Sequence, residues 1–193
     1  MTSEQPEGTT PLDPNGAEGL LPTHIVTQGS LNAWEQANIL VAEKWAFANR
    51  RADILSMDFV LELHRQMFGN TWTWAGTIRR SEKNIGVAVE QIRPDLRNLL
   101  DDVKYWTEHK AYPTDEVAAR WHHRLTQIHP FSNGNGRHAR LMADVLLFNL
   151  DRPRFSWGSA DLYGKGEARN RYLTALREAD RSNIVPLLEF VRT

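Results

Sequence analysis

Residues 114–149 read TDEVAARWHHRLTQIHPFSNGNGRHARLMADVLLFN, and this stretch decides the fold. Its first part carries Val117, Trp121, Leu125 and Ile128 at spacings of three and four, one face of a helix. Thr114 can cap that helix, with Asp115 and Glu116 in the first turn, where the helix dipole favours acids. The apolar period returns from about Arg137 to Asn149 through Leu141, Met142, Val145 and Leu146. Between the two helices stand His129, Pro130, Ser132, Asn133, Gly134, Asn135 and Gly136, a composition that interrupts a helix and favours a turn. The unit is a helix, a glycine loop and a second helix.

The helical period extends on both sides. A helix from Ser30 presents Leu31, Trp34, Ala37, Val41 and Trp45. Ser56 can cap a second, striped by Met57, Val60, Leu61, His64 and Phe68. Leu96, Leu99, Leu100, Val103 and Trp106 mark a third. Beyond residue 149, Ala168, Tyr172, Leu176 and Ala179 share a face, and a short last helix follows Pro186. One stretch, Ile78 to Val87, reads as a small hairpin or extended flap, with Asn84 and Gly86 available for a turn. The expected fold class is all-α with one β-excursion. An arm precedes it over residues 1–29, broken at Pro6, Pro11, Pro14 and Pro22.

Composition bounds the function. The chain has 193 residues, 41% hydrophobic and 24% charged, which suits one soluble domain with a sizeable core. A net charge of -1 argues against a protein that coats nucleic acid. The absence of cysteine excludes a disulfide scaffold, a thiol nucleophile and a thiolate-held metal. No apolar run approaches the roughly 18–20 residues of a membrane span, and the first residues lack a secretory pattern. The expectation is a cytoplasmic protein with no membrane partner.

The glycine loop carries the chemistry. Gly134 and Gly136 let backbone N–H groups approach a ligand, and the helix they open presents its positive end. Arg137 and Arg140 are neighbours on its first turns. From Val117 to Ala143 there is no Asp or Glu, while Arg120, Arg124, Arg137 and Arg140 fall inside that window. A polyphosphate suits such a cationic loop. His129 is the imidazole placed to act there as a base. A structural corner accounts for the same residues about as well. A DNA-binding helix-turn-helix accounts for them poorly, because the second helix turns apolar from Leu141.

The segment HPFSNGNGRHAR at 129–140 resembles the signature of the Fic family, His-Pro-Phe-x-(Asp/Glu)-Gly-Asn-Gly-Arg-x-x-Arg, and matches every fixed position but one. TWTWAGTIRRSEKNIGV at 71–87 resembles the family's lead into its target-docking flap, and LNAWEQANIL at 31–40 the helix before its core. The likeness covers residues 30–193, taken as a Fic domain, and is greatest to the subgroup called mobile mystery protein B. It implies a Fic-type helical bundle that moves AMP from ATP onto a hydroxyl of a target protein. A non-enzymatic or weakly active nucleotide-binding module, or transfer of another phosphate-containing group, is the alternative.

The resemblance also implies roles. His129 is the general base, and Phe131 fixes the loop from the core side. Gly134, Asn135 and Gly136 form the anion cradle. Arg137 and Arg140 hold phosphates, with Arg140 on the γ-phosphate. Asn133 stands where the family places an acid that binds Mg²⁺, so metal use is weakened. Gly136 argues against the Doc-type kinase variant, which has Lys there. A target segment would pair with the flap residues Ile78, Arg79, Arg80, Ile85, Gly86 and Val87, although Arg79 and Arg80 by themselves read as solvated charges. For the family's inhibitory glutamate there are two candidates, Glu7 and Glu35; Pro6 disfavours Glu7, so Glu35 is expected to pair with Arg140. Tyr172 and Asn170 serve equally as adenine neighbours or as core and cap residues.

Overall fold

The computed structural model describes residues 18–159, 162 and 166–193. Among these, the helices are α1 (Gln28–Phe47), α2 (Met57–Phe68), α3 (Ile92–Glu108), α4 (Thr114–Ile128), α5 (Asn135–Asn149), α6 (Glu167–Asp180) and α7 (Val185–Val191). The fold is all-α. Glu7 and most of the expected arm lie outside the described residues.

The quoted stretch forms the centre of the bundle. α4 and α5 pack side by side, and α5 also meets α1 and α2. Trp121, Leu125, Ile128, Met142 and Leu146 are essentially fully buried in that seam. A core aromatic of this kind costs about 3–5 kcal/mol when cut to alanine. The expected α4 face is therefore the packed one. Ser56 caps α2 as its sequence predicts, accepting from the Phe59 N–H at 3.1 Å. Thr114 does not cap α4: it is the first helical residue, and Pro113 occupies the cap.

Two expectations are corrected. The first concerns α1, whose buried face is Leu31, Glu35, Ile39, Ala42 and Ala46. Val41 is 63% exposed, and Trp34 and Trp45 are only half-buried. The large tryptophans suggested a stripe about one residue out of register, because their area outweighs that of the small residues that pack closest. α1 also begins at Gln28, after a capping box between Thr27 and Ser30, so a border at 29/30 cuts its first turn. The second correction concerns residues 78–87, which form no strand and run as an extended loop with bends. The strand pairing seen is a bridge between Leu20 and Trp72, flanked by Leu21 N–H to the Thr71 carbonyl and Thr73 N–H to the Gly19 carbonyl. The end of the arm is thereby laid against the segment that leads into the flap.

Candidate active site

α4 ends on His129, whose φ of 54° and ψ of 58° lie in the left-handed region. That turn breaks the helix and carries the chain into the glycine loop. Phe131 then drives inward, fully buried, stacked on His64 with ring centroids 3.7 Å apart and met edge-on by His138 at 5.0 Å. The Asn135 side chain clasps it: Oδ1 accepts from the Phe131 N–H at 2.9 Å, and Nδ2 donates to the Phe131 carbonyl at 2.8 Å. Asn135 thus gives the cradle only its backbone, since its side chain is spent inside the loop.

His64 ties the other side. The Gly76 N–H donates to its Nδ1 at 2.9 Å, so Nε2 carries the proton and donates to the Asn133 carbonyl at 3.1 Å. Burial holds this imidazole neutral, pushing it well below its ordinary pKa. Gly134 has φ 78°, and a Cβ there would come within 2.6 Å of the Phe68 ring. Only glycine makes that turn in that space.

The loop opens onto a cleft of about 530 Å³ bordered by His129, Gly136, Arg137, Arg140, Glu35 and Tyr172. The first backbone bond of α5 runs from the His138 N–H to the Gly134 carbonyl, so the N–H groups of Asn135 and Gly136 head the helix. A Cβ on Gly136 would meet nothing closer than 3.9 Å, so this side of the loop is open. A second compartment of about 810 Å³ adjoins across His129, Gly136 and Tyr172 and is walled by Ile85, Leu173 and Leu176. Tyr172 lies in this wall, with its hydroxyl 3.0 Å from His122 Nε2, while Asn170 is exposed on α6. The sequence places Leu176 on the apolar face of this helix with Tyr172, but carries no signal that Leu173 and Asp180 border the same compartment.

His129 is half-buried. Burial lowers its pKa, the Thr126 carbonyl opposes that, and the Arg79 and Lys83 charges lower it further. Its Nδ1 lies 3.4 Å from the Thr126 carbonyl, which leaves Nε2 as the nitrogen with a lone pair to offer.

Glu35 is in the cleft, but not on Arg140. Its carboxylate, 5% exposed, accepts from Arg137 Nη1 at 2.5 Å and from Trp72 Nε1 at 2.7 Å. Arg140 lies instead over the Tyr172 ring, 5.8 Å from its centroid. The first arginine of α5 faces α1 and the second, one turn on, faces α6. Glu35 is thus neither an exposed helix residue nor opposite the packed face.

Arg79 is also corrected. It is buried, whereas Arg80 is exposed. The Arg79 N–H, the Val87 N–H and the Val87 carbonyl are all engaged inward, the last by Arg79 itself. This leaves the exposed stretch from Arg80 to Gly86 as the face of the flap.

The donor set does not fit a protein-held Mg²⁺. Such ions are usually bound through one or two carboxylates plus phosphates. Asn133 offers one neutral oxygen, which already accepts from the Gly134 N–H at 2.6 Å. The carboxylate of Glu35 is committed to Arg137 and Trp72. No group of three His, Cys, Asp or Glu with a metal-holding arrangement occurs among the described residues.

A left-handed histidine, a clasped glycine loop and two helix-borne arginines border one open cleft of an all-α protein, an arrangement whose chemistry suits an anionic ligand. Residues 54–147 match the Fic/DOC family. It is 31% identical to protein adenylyltransferase Fic of Drosophila yakuba over 147 residues, 74% of this chain and 28% of that protein. With the namesake from Aedes aegypti it shares 29% over 143 residues, 72% of this chain and 27% of the other. The chain thus spans little more than a quarter of the length of these relatives. Among solved structures, a Fic-1 fragment from C. elegans superposes with a TM-score of 0.64 at 26% identity, over 82% of this chain and 48% of that one. The Bartonella tribocorum BepC protein, solved with bound AMPPNP, has the same fold, with a TM-score of 0.69 at 19% identity over 96% and 92% of the two chains.

Proposed function

We propose that this chain transfers AMP from ATP to a hydroxyl side chain of a target protein. The observation that carries the reading is one cleft holding His129, the head of α5 and two arginines at its rim. The target oxygen attacks the α-phosphorus, its proton passes to His129 Nε2, and the bond to the β-phosphate oxygen breaks to release pyrophosphate. Most of the gain comes from positioning and from charge stabilisation by fixed donors. The N–H groups of Asn135 and Gly136, with Arg137 and Arg140, supply that charge stabilisation. The apolar walls of the adjoining compartment, Leu173 and Leu176, suit a flat base.

Any Mg²⁺ would arrive on the phosphates of ATP, and Asn133 is the loop residue that would offer it a neutral oxygen. The target strand lies along Arg80 to Gly86, where the inward bonds of Arg79 and Val87 leave the flap face clear. A cytoplasmic reaction belongs to this reading, since that compartment supplies ATP. Neither the membrane nor nucleic acid is a partner in this reading. For the described residues, no helix is long and apolar enough to cross a membrane.

The buried pair of Glu35 and Arg137 supports a resting state of low activity, because it neutralises a cation that the phosphates need. A nucleotide-binding module of little catalytic power is the second reading, favoured by that pair and by Asn133. Incubation with α-labelled and γ-labelled ATP in parallel, with lysate as target, separates them. Label from the α-position alone supports AMP transfer; label from the γ-position alone indicates phosphoryl transfer, and nucleotide binding without labelling indicates the module.

A further inference from the structure

Arg79 is an arginine with its side chain wholly buried, yet its nearest carboxylate, on Glu82, is 3.7 Å away on a side chain 65% exposed. Its hydrogen bonds go to backbone instead. Nε donates to the His129 carbonyl at 2.8 Å, Nη1 to the Ser81 carbonyl at 3.0 Å, and Nη2 to the Val87 carbonyl at 2.5 Å. Its own N–H donates to the Pro130 carbonyl at 2.9 Å, and the Val87 N–H reaches the Ile128 carbonyl at 3.4 Å. Both ends of the flap are therefore fastened to the three residues that carry the turn at His129. Gly86 closes the space: with φ 104°, a Cβ there would stand 2.7 Å from His129 Cβ and 2.8 Å from Arg79 Nη2.

We propose that Arg79 is a positioning residue for the transfer, its guanidinium joining the His129 turn and the flap into one rigid unit, so that the base and the target-docking face keep a fixed separation. This rests on the AMP-transfer reading for its catalytic part. The geometry explains why a planar fork is needed: three carbonyls around one group are matched by guanidinium and poorly by an ammonium. A left-handed, half-buried histidine also needs its carbonyl paired.

Charge at this corner comes from several elements. The flap contributes Arg79, Lys83 and Glu82; α4 contributes Arg124. Across the cleft stand Arg140 and the Glu35-bound Arg137 of α5, and Arg177 and Asp180 of α6. Of these, Arg79 and Lys83 act on His129 in the direction that disfavours its protonation.

Two variants test the proposal, Arg79→Lys and Arg79→Met, read by steady-state transfer, by NMR titration of His129 and by hydrogen exchange at the Arg79 and Val87 amides. Arg79→Lys keeps the charge and loses the fork. Its kcat falls about 10²-fold, as a misplacement near 1 Å costs, while the KM for ATP stays within about threefold of the wild type. Its His129 titrates close to the wild type, and protection at both amides drops. Arg79→Met removes the charge, and His129 titrates higher than in the wild type, because one of the cations that disfavours its protonation is gone. If the methionine variant does not fold, the lysine variant decides alone. A wild-type kcat in Arg79→Lys, or unchanged amide protection in it, overturns the proposal. If the wild type transfers no AMP, the reading of function fails, and the exchange and titration data still decide whether Arg79 fixes the His129 turn.

Discussion

His129 ends α4 in a conformation that few residues other than glycine adopt, and its imidazole thereby leaves the helix and borders the cleft. A positioned base contributes about 10²–10⁴ in rate. His129→Ala should lower AMP transfer by that factor and leave ATP affinity nearly unchanged, a pairing that labelling and calorimetry measure together. The pH dependence has a definite sign. Burial and then the neighbouring cations hold His129 below its ordinary 6.5, so the neutral form persists to lower pH than for a free imidazole. The acid limb of kcat/KM should fall below pH 6.5; a limb above it would show that another group is the base. Asn133→Asp is the companion test. Its carboxylate can still accept the Gly134 N–H and adds the charge that Mg²⁺ prefers, so the Mg²⁺ concentration for half-maximal rate should drop. No change in Mg²⁺ dependence would separate residue 133 from the metal. The loop was legible because it is local: His129, the glycines and the two arginines lie within twelve residues of sequence, and the structure gathers them around one cleft. Asn135 was less so, since an amide that clasps Phe131 and an amide that faces a ligand have the same letter.

Glu35 shows what one element hides from its neighbours. Periodicity gave α1 its existence and nearly its length, but its rotation depended on α2 and α5. A turn of the face by one residue brought Glu35 from the surface to 3% exposure. The choice between Arg137 and Arg140 is likewise a matter of which side of α5 meets α1, and no letter in either helix records it. The same holds for Arg79 and Arg80, adjacent arginines of which one is buried because Val87 and His129 present carbonyls to it. The hairpin expected over 78–87 fails because those inward bonds replace a cross-strand ladder. Glu35→Gln tests what the element does. The amide oxygen keeps the Trp72 bond while the charge on Arg137 is released, so AMP transfer should rise. Breaking a buried ion pair costs roughly 3–5 kcal/mol; Arg137 borders the open cleft, so the loss of stability should fall at or under the lower end. Trp72→Phe removes a donor from the same carboxylate and should raise transfer by less. Activity unchanged in both variants would mean that the pair holds the fold together without restraining the enzyme.

At the scale of the whole molecule, the helices were readable because each buries one face, and the α4–α5 centre was readable in most detail because its apolar stripe is unbroken. The polar interior was not, since the partners of a buried histidine come from distant segments. Three histidines lie wholly inside: His64 between the Asn133 carbonyl and the Gly76 N–H, His138 on the Val60 carbonyl at 2.9 Å, and His122 against the Tyr172 hydroxyl. Burial is the leading cause in each, lowering His138 to about 4, His122 to about 3 and His64 well below its ordinary value. An unfolded chain protonates all three near pH 6.5. Between that pH and the lowered values the unfolded state binds more protons, so stability falls as pH falls. His138 alone accounts for on the order of 3 kcal/mol across that window. Asp144 acts in the opposite sense. Buried, and raised to about 6, it binds its proton more tightly when folded, so acid favours the native state from pH 6 down to its ordinary 3.8. Three groups outweigh one, and the net slope follows the histidines. Urea midpoints should therefore be level above pH 7 and drop steadily from pH 6.5 to 4, with the steepest loss before most carboxylates titrate. His138→Gln, which keeps a donor for the Val60 carbonyl, should flatten the slope while lowering the plateau at pH 7. A midpoint that holds steady down to pH 4.5 would mean that these imidazoles reach water or a counter-charge before the fold opens.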